Sequence, residues 1–163
     1  MASGRWFVVS AVVLGADQLT KWAAQRLLDP DMPLTVIPGF FALRLAHNTG
    51  AAFSLLADAG GWQRDLFIGL GVVVSLGIAW WILKLRPGER WTALGLSLVL
   101  GGALGNVIDR LRWGQVVDFL DFYYGTWHWP TFNLADSAIT MGVMILIAVE
   151  LFAADSKKRE TRP

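Results

Sequence analysis

Four apolar stretches, each near 20 residues long, constrain this chain more than anything else in it. A hydrocarbon core about 30 Å thick needs roughly 20 mostly apolar helical residues to cross it. The candidates are residues 6–28, 66–83, 91–108 and 134–152. The second and third contain no charged residue; the first holds Asp17, Lys21 and Arg26, and the fourth begins with Asp136 nearby and ends with Glu150. The composition agrees: 55% of residues are hydrophobic and 17% are charged, against about 25% charged in a typical soluble domain. The mean hydropathy is +0.48. Intrinsic disorder and a water-soluble globule are both poor fits. The expected fold is an all-α membrane protein of four transmembrane helices, with a small periplasmic β-hairpin/sheet and an aromatic periplasmic loop, in one domain, residues 1–163.

The N-terminal stretch also has signal-peptide features, with Arg5 before an apolar run from Trp6 to Leu14. Leu14-Gly15-Ala16 is a poor cleavage site and apolar character resumes at Trp22, so an uncleaved span is the expectation. Orientation follows the basic residues. Arg5, the loop with Lys84, Arg86 and Arg90, and the tail with Lys157, Lys158, Arg159 and Arg162 share one side, so both termini are expected in the cytoplasm. All nine tryptophans fall near span ends, as an aromatic belt requires. Residues 155–163 read as a charged, disordered cytoplasmic tail.

Two segments face the other side. Residues 32–46, broken by Pro38-Gly39, read as a surface hairpin, 34–37 followed by 40–45. Residues 112–132, rich in Phe, Tyr and Trp, read as an aromatic loop dipping into the membrane interface.

Intramembrane charge is costly and therefore usually paired or functional. Here the polar residues share one depth. At about 1.5 Å per residue from Arg5, Asp17 lies roughly 18 Å along the first helix and Lys21 roughly 24 Å. Asn106, Asp109 and Arg110 end the third stretch; Asn133 and Asp136 open the fourth; Asn48 and Asp118 lie in the outer segments. Each group also has a plain structural reading. Asp17 and Lys21 form an i,i+4 pair. Gly102, Asn106, Asp109 and Arg110 share a helix face, and Gly101 and Gly105 suit close helix packing. Asn133 is a candidate N-cap with Asp136 as its capping-box partner. Asp121 reads as a water-facing, inert neighbour of Asp118, and His47 and His128 as interfacial residues.

The net charge of +1 leaves no broad basic surface for nucleic acid. Cysteine is absent, so thiolate catalysis, thiolate zinc sites and iron–sulfur clusters are excluded. No GxSxG elbow occurs. Ser10, Ser54, Ser75, Ser97 and Ser137 lack an evident histidine partner, leaving only a Ser–Lys dyad open. Carboxylates remain. Two that share a site cannot both ionise cheaply; the ionised one can take a proton from water while the protonated one donates to a carbonyl oxygen. Spacing alone does not say which pair meets, since Asp17 and Asp109 are carboxylic as well. A small proton or ion transporter is the alternative, although a relay needs carboxylates across the membrane and only Glu150 lies near the inner side.

Five blocks in order resemble the lipoprotein signal peptidases (signal peptidase II): Asp17-Gln18-Leu19-Thr20-Lys21; residues 47–54, His-Asn-Thr-Gly-Ala-Ala-Phe-Ser; residues 101–111, ending in Asn106-Val107-Ile108-Asp109-Arg110-Leu111; Gly114 to Phe119; and Phe132 to Ser137. That resemblance implies a bacterial inner-membrane aspartic endopeptidase with Asp118 and Asp136 as the catalytic pair. It implies that Asn48, Gly102, Asn106, Arg110 and Asn133 bind substrate, and that Asp17, Lys21 and Asp109 support them. It implies cleavage of prolipoprotein signal peptides before a diacylglyceryl-modified cysteine, near the periplasmic face, in contact with membrane lipid. No cofactor or metal is expected, a globomycin-type inhibitor is, and so is a monomer.

Overall fold

In a computed structural model the chain is described over residues 4–50 and 60–160, with 153–160 as backbone alone. Ala51 to Ser54 of the second block, Ser54 among the candidate serines, and the basic tail side chains lie outside the described residues. The elements, in order, are α1 (Gly4–Leu27), β1 (Leu34–Ile37), β2 (Phe41–Asn48), α2 (Trp62–Lys84), α3 (Arg90–Trp113), β3 (Val116–Tyr124), β4 (Trp127–His128) and α4 (Leu134–Glu160).

Helix α3 is the hub, packing against α1, α2 and α4. Its glycines permit this. A methyl group on Gly101 would strike the Ser10 carbonyl, one on Gly102 the Ala135 carbonyl, and one on Gly105 the Asp17 carboxylate. Without side chains at these positions the backbones approach closely and gain dispersion contacts, the main attraction available between helices in lipid. Leu96 and Leu100 of α3 and Ile82 of α2 form a buried apolar cluster. The outward surface is apolar too: Leu70, Val73, Leu76 and Leu83 of α2 and Met144, Ile147 and Leu151 of α4 are exposed. Such a face requires a lipid environment.

Among the described residues three helices are long and apolar enough to cross a membrane: Trp62–Lys84, Arg90–Trp113 and Leu134–Phe152. Helix α1 falls outside that group, because Asp17, Gln18 and Lys21 interrupt its apolar run. The small sheet that accompanies the helices is antiparallel and extends beyond the hairpin. Its four strands run in the order β1-β2-β3-β4, all antiparallel. The hairpin of β1 and β2 stands where the sequence places it, but residues 116–128 correct the aromatic-loop expectation. Val116 to Phe119 and Asp121 are buried in β3. A strand covered on both faces loses the apolar–polar alternation that would mark it as a strand. The chain after Asp155 is corrected as well: α4 stays helical to Glu160, through good helix formers such as Ala, Lys and Glu.

Candidate active site

The polar residues of α1, α3, β3 and α4 form one cluster at one end of the bundle. Lys21 is its centre. Its Nζ lies 2.9 Å from Asp17 Oδ2 and 2.8 Å from Asp109 Oδ2, and donates to Asn106 Oδ1 at 2.9 Å. Lys21 is 2% exposed and Asp17 fully buried. Three acceptors occupy the three ammonium protons, which leaves Lys21 unsuited to be the base of a Ser–Lys dyad. The carboxylates are satisfied in turn. Asp17 Oδ1 accepts from the Ala135 backbone N–H at 2.9 Å. Asp109 accepts from Gln18 Nε2 at 2.8 Å and from the Val117 N–H at 3.2 Å. A buried ion network is tolerable only with this degree of completion.

This network fixes the next layer. Asn106 Nδ2 donates to Asp136 Oδ1 at 2.8 Å. Asn133 then links the two carboxylates expected to pair. Its Nδ2 donates to Asp118 Oδ1 at 2.7 Å. Its Oδ1 accepts from the Asp136 N–H at 2.9 Å, and its own N–H donates to Asp136 Oδ2 at 3.3 Å. That reciprocal pair is a capping box at the start of α4. The structural reading of Asn133 and Asp136 therefore holds, and the same residues also bridge to Asp118.

Asp118 and Asp136 open onto a cavity of about 560 Å³. Asn48, Asn106 and Arg110 complete its polar end; Trp129, Phe132, Ile139, Met141 and Met144 are among the residues that continue it as an apolar wall. Asn133 is fully buried behind Asp118. Arg110 donates to the Gly50 carbonyl at 2.7 Å and lies 5.2 Å from the Phe67 ring centre. Burial and the neighbouring Asp136 charge push the Asp118 carboxyl up to about 7, against hydrogen bonds from Asn133 and Asn48 that favour its ionised form.

Gly102 is placed differently from the sequence reading. It does not line this cavity but sits at the crossing of α3 with α4, against Ala135 and Ile139. His47 is exposed on β2, paired with Val117, and does not line the cavity. Asp121 is neither water-facing nor isolated: it is 1% exposed, with His128 Nδ1 2.9 Å away and Arg44 Nε 3.2 Å away. Gln18 was legible only as a neighbour of Asp17, and its bond to Asp109 depends on how α1 packs on α3. Among the described residues no three of His, Asp and Glu are grouped as metal ligands would be.

An apolar helix bundle with a carboxylate-lined cleft at one end, opening along a lipid-facing helix, defines a membrane protein with an enzyme-like centre. The comparisons narrow that class. The family model for signal peptidase (SPase) II matches residues 9–152. A lipoprotein signal peptidase of Paraburkholderia phytofirmans is 53% identical over 146 residues, covering 90% of this chain and 84% of the relative. One from Burkholderia mallei is 52% identical, covering 90% and 87%. Two solved bacterial membrane enzyme structures superpose with TM-scores of 0.84 and 0.77, at 29% and 30% identity. They cover 98% and 91% of this chain, and 94% and 93% of theirs. The chain belongs to the signal peptidase II family, and is a protease. The transporter alternative finds no support.

Proposed function

We propose that this protease is an aspartic endopeptidase with Asp118 and Asp136 as its catalytic residues. The carrying observation is Asn133, whose side chain and backbone hold both carboxylates at the polar end of one cavity. Asp118, raised to about 7, is the member that holds a proton near neutrality. Asp136 accepts N–H donors from Asn106 and Asn133 and serves as the base. In the proposed reaction Asp136 takes a proton from water as it attacks the scissile carbonyl carbon. Asp118 gives its proton to the carbonyl oxygen. The tetrahedral intermediate then collapses with proton return to the leaving amine, and no covalent enzyme intermediate forms.

The cavity suits a substrate that is partly peptide and partly lipid. Asn48, Asn106 and Arg110 offer hydrogen bonds to a peptide backbone, and the wall at Met141 and Met144 continues onto the outward face of α4. That division supports cleavage of prolipoprotein signal peptides before a diacylglyceryl-modified cysteine, with the acyl chains along α4. Asn133, Asp17, Lys21 and Asp109 support the site from behind, and Gly102 contributes by letting α3 and α4 approach.

The proposed setting is the bacterial inner membrane. Helix α1, at 24 residues, serves as a fourth span with Asp17 and Lys21 turned into the bundle. Both termini are cytoplasmic, and the sheet and cavity lie near the periplasmic face. One chain carries the whole constellation, consistent with a monomer. A globomycin-type cyclic peptide is expected to compete for the cavity.

The test is cleavage of a lipid-modified precursor by purified protein, with the products weighed. Asp118→Asn and Asp136→Asn are each expected to abolish cleavage while the thermal midpoint is retained. Near-parental turnover by either variant would overturn the assignment.

A further inference from the structure

Strand alternation puts Asp118 and Asp121 on opposite faces of β3, since they are three residues apart. Asp118 faces the cavity. Asp121 lies behind it, buried, and it joins three strands. His128 of β4 places Nδ1 2.9 Å and 3.0 Å from its two carboxylate oxygens. Arg44 of β2 places Nε 3.2 Å from Oδ2; this is an ion pair by distance, with the N–H not aimed as a hydrogen bond. Arg44 reaches Asp121 because β2 is bulged there: Leu43 pairs with Leu120 and Ala46 with Asp118, so two residues of β2 oppose one of β3.

What lies beyond β4 gives the cluster its consequence. The chain leaves His128 directly into Trp129-Pro130-Thr131-Phe132, which lines the cavity beside Asp136. This wall is tied to β3 by backbone bonds from Trp129 N–H to the Phe122 carbonyl at 2.8 Å and from Phe132 N–H to the Leu120 carbonyl at 3.2 Å. β4 itself is only two residues long. A ladder that short is marginal without side-chain support. The Asp121–His128 contact provides it, together with the Tyr123 ring stacked on His128 at 5.2 Å.

We propose that Asp121, clamped by His128 and Arg44, is a positioning residue for substrate: through the β3–β4 hairpin it sets the placement of the Trp129–Phe132 wall. It touches neither the reacting atoms nor Asp118 and Asp136. Loss of the clamp therefore weakens capture of the precursor and leaves the chemical step intact. This rests on the reading of the cavity as the substrate site.

The experiment measures kcat and KM for a lipid-modified precursor with the full-length protein in lipid nanodiscs. His128→Ala is expected to raise KM about five- to tenfold with kcat within twofold. His128→Asn, whose side-chain amide can donate to Asp121 from nearly the position of Nδ1, is expected to return KM to within twofold of the parent. Arg44→Ala probes the same carboxylate from β2 and provides the same split if His128→Ala does not fold. An unchanged KM in His128→Ala, a loss confined to kcat, or an Asn variant no better than the Ala variant would overturn the clamp. Asp118→Asn is run alongside. Activity in that variant sinks the reading of the cavity, whereas an inactive Asp118→Asn beside an unchanged His128→Ala sinks the clamp alone.

Discussion

Removing the side chain of Asn133 should move the pH dependence of this enzyme in a definite direction. In the parent, the proton on Asp118 titrates near 7. If that proton is the one donated to the substrate carbonyl, turnover falls above pH 7, about tenfold for each further unit. Asn133 Nδ2 donates to Asp118 Oδ1 at 2.7 Å, a bond that favours the ionised carboxylate. A hydrogen bond to a charged group contributes about 1.5–3 kcal/mol. At about 1.36 kcal/mol per pH unit this corresponds to a shift of roughly one to two units. Asn133→Ala removes the bond, so the carboxyl holds its proton more tightly and the alkaline limb moves up, toward 8 to 9. The variant also loses the N-cap of α4, which costs about 1 kcal/mol of stability. Asn133→Ser separates the two effects. Serine caps as well as asparagine but is too short to replace the amide, so Ser should melt closer to the parent than Ala does and show the same displaced limb. Initial rates of precursor cleavage between pH 5 and 10, with thermal midpoints followed by tryptophan fluorescence, give both readouts. A limb that stays near 7, or moves down, refutes the assignment of the proton to Asp118.

Other expectations follow from the same network. Lys21→Met leaves Asp17 and Asp109 buried without their cation, a loss of about 3–5 kcal/mol, and should abolish cooperative melting; a midpoint within 2 °C of the parent, on the order of 0.5 kcal/mol, would contradict it. Gly102→Ala drives a methyl into the Ala135 carbonyl and should cost about 1–3 kcal/mol, with activity falling only as stability falls. Weakened substrate binding at unchanged stability would instead return Gly102 to the substrate site. Cleavage should persist after extensive chelation, and inactivation reversed by added zinc would show that the carboxylate pair does not act alone.

Much of the site was legible because the membrane makes polar residues conspicuous. Asp17, Lys21, Asn106 and Asp136 each interrupt an apolar run, and the rise of a helix is regular enough to compare their depths. The Asn133–Asp136 cap was readable as a local pattern. What the sequence could not provide was distance between elements. Nothing in the spacing brings Asp118 to Asn133, or Gln18 to Asp109, because those contacts depend on how β3 meets the start of α4 and how α1 packs on α3. The aromatic segment misled for a related reason: a strand buried on both faces looks like any other apolar run. Asp121 was misjudged because its partners, Arg44 and His128, come from two other strands. Gly102 shares a helix face with Asn106, yet the close approach of α4 covers it before the cavity begins.

The capping box at the start of α4 ties chemistry to the fraying of a helix end. Asp136 cannot leave its place in the first turn without breaking both of its bonds to Asn133 and its bond from Asn106, even though Asn133 stays tied to Asp118 and the Val117 carbonyl. Warming that loosens a single half-turn would thus silence the enzyme while the apolar bundle is still intact. Thermal inactivation should precede melting, and reverse on cooling.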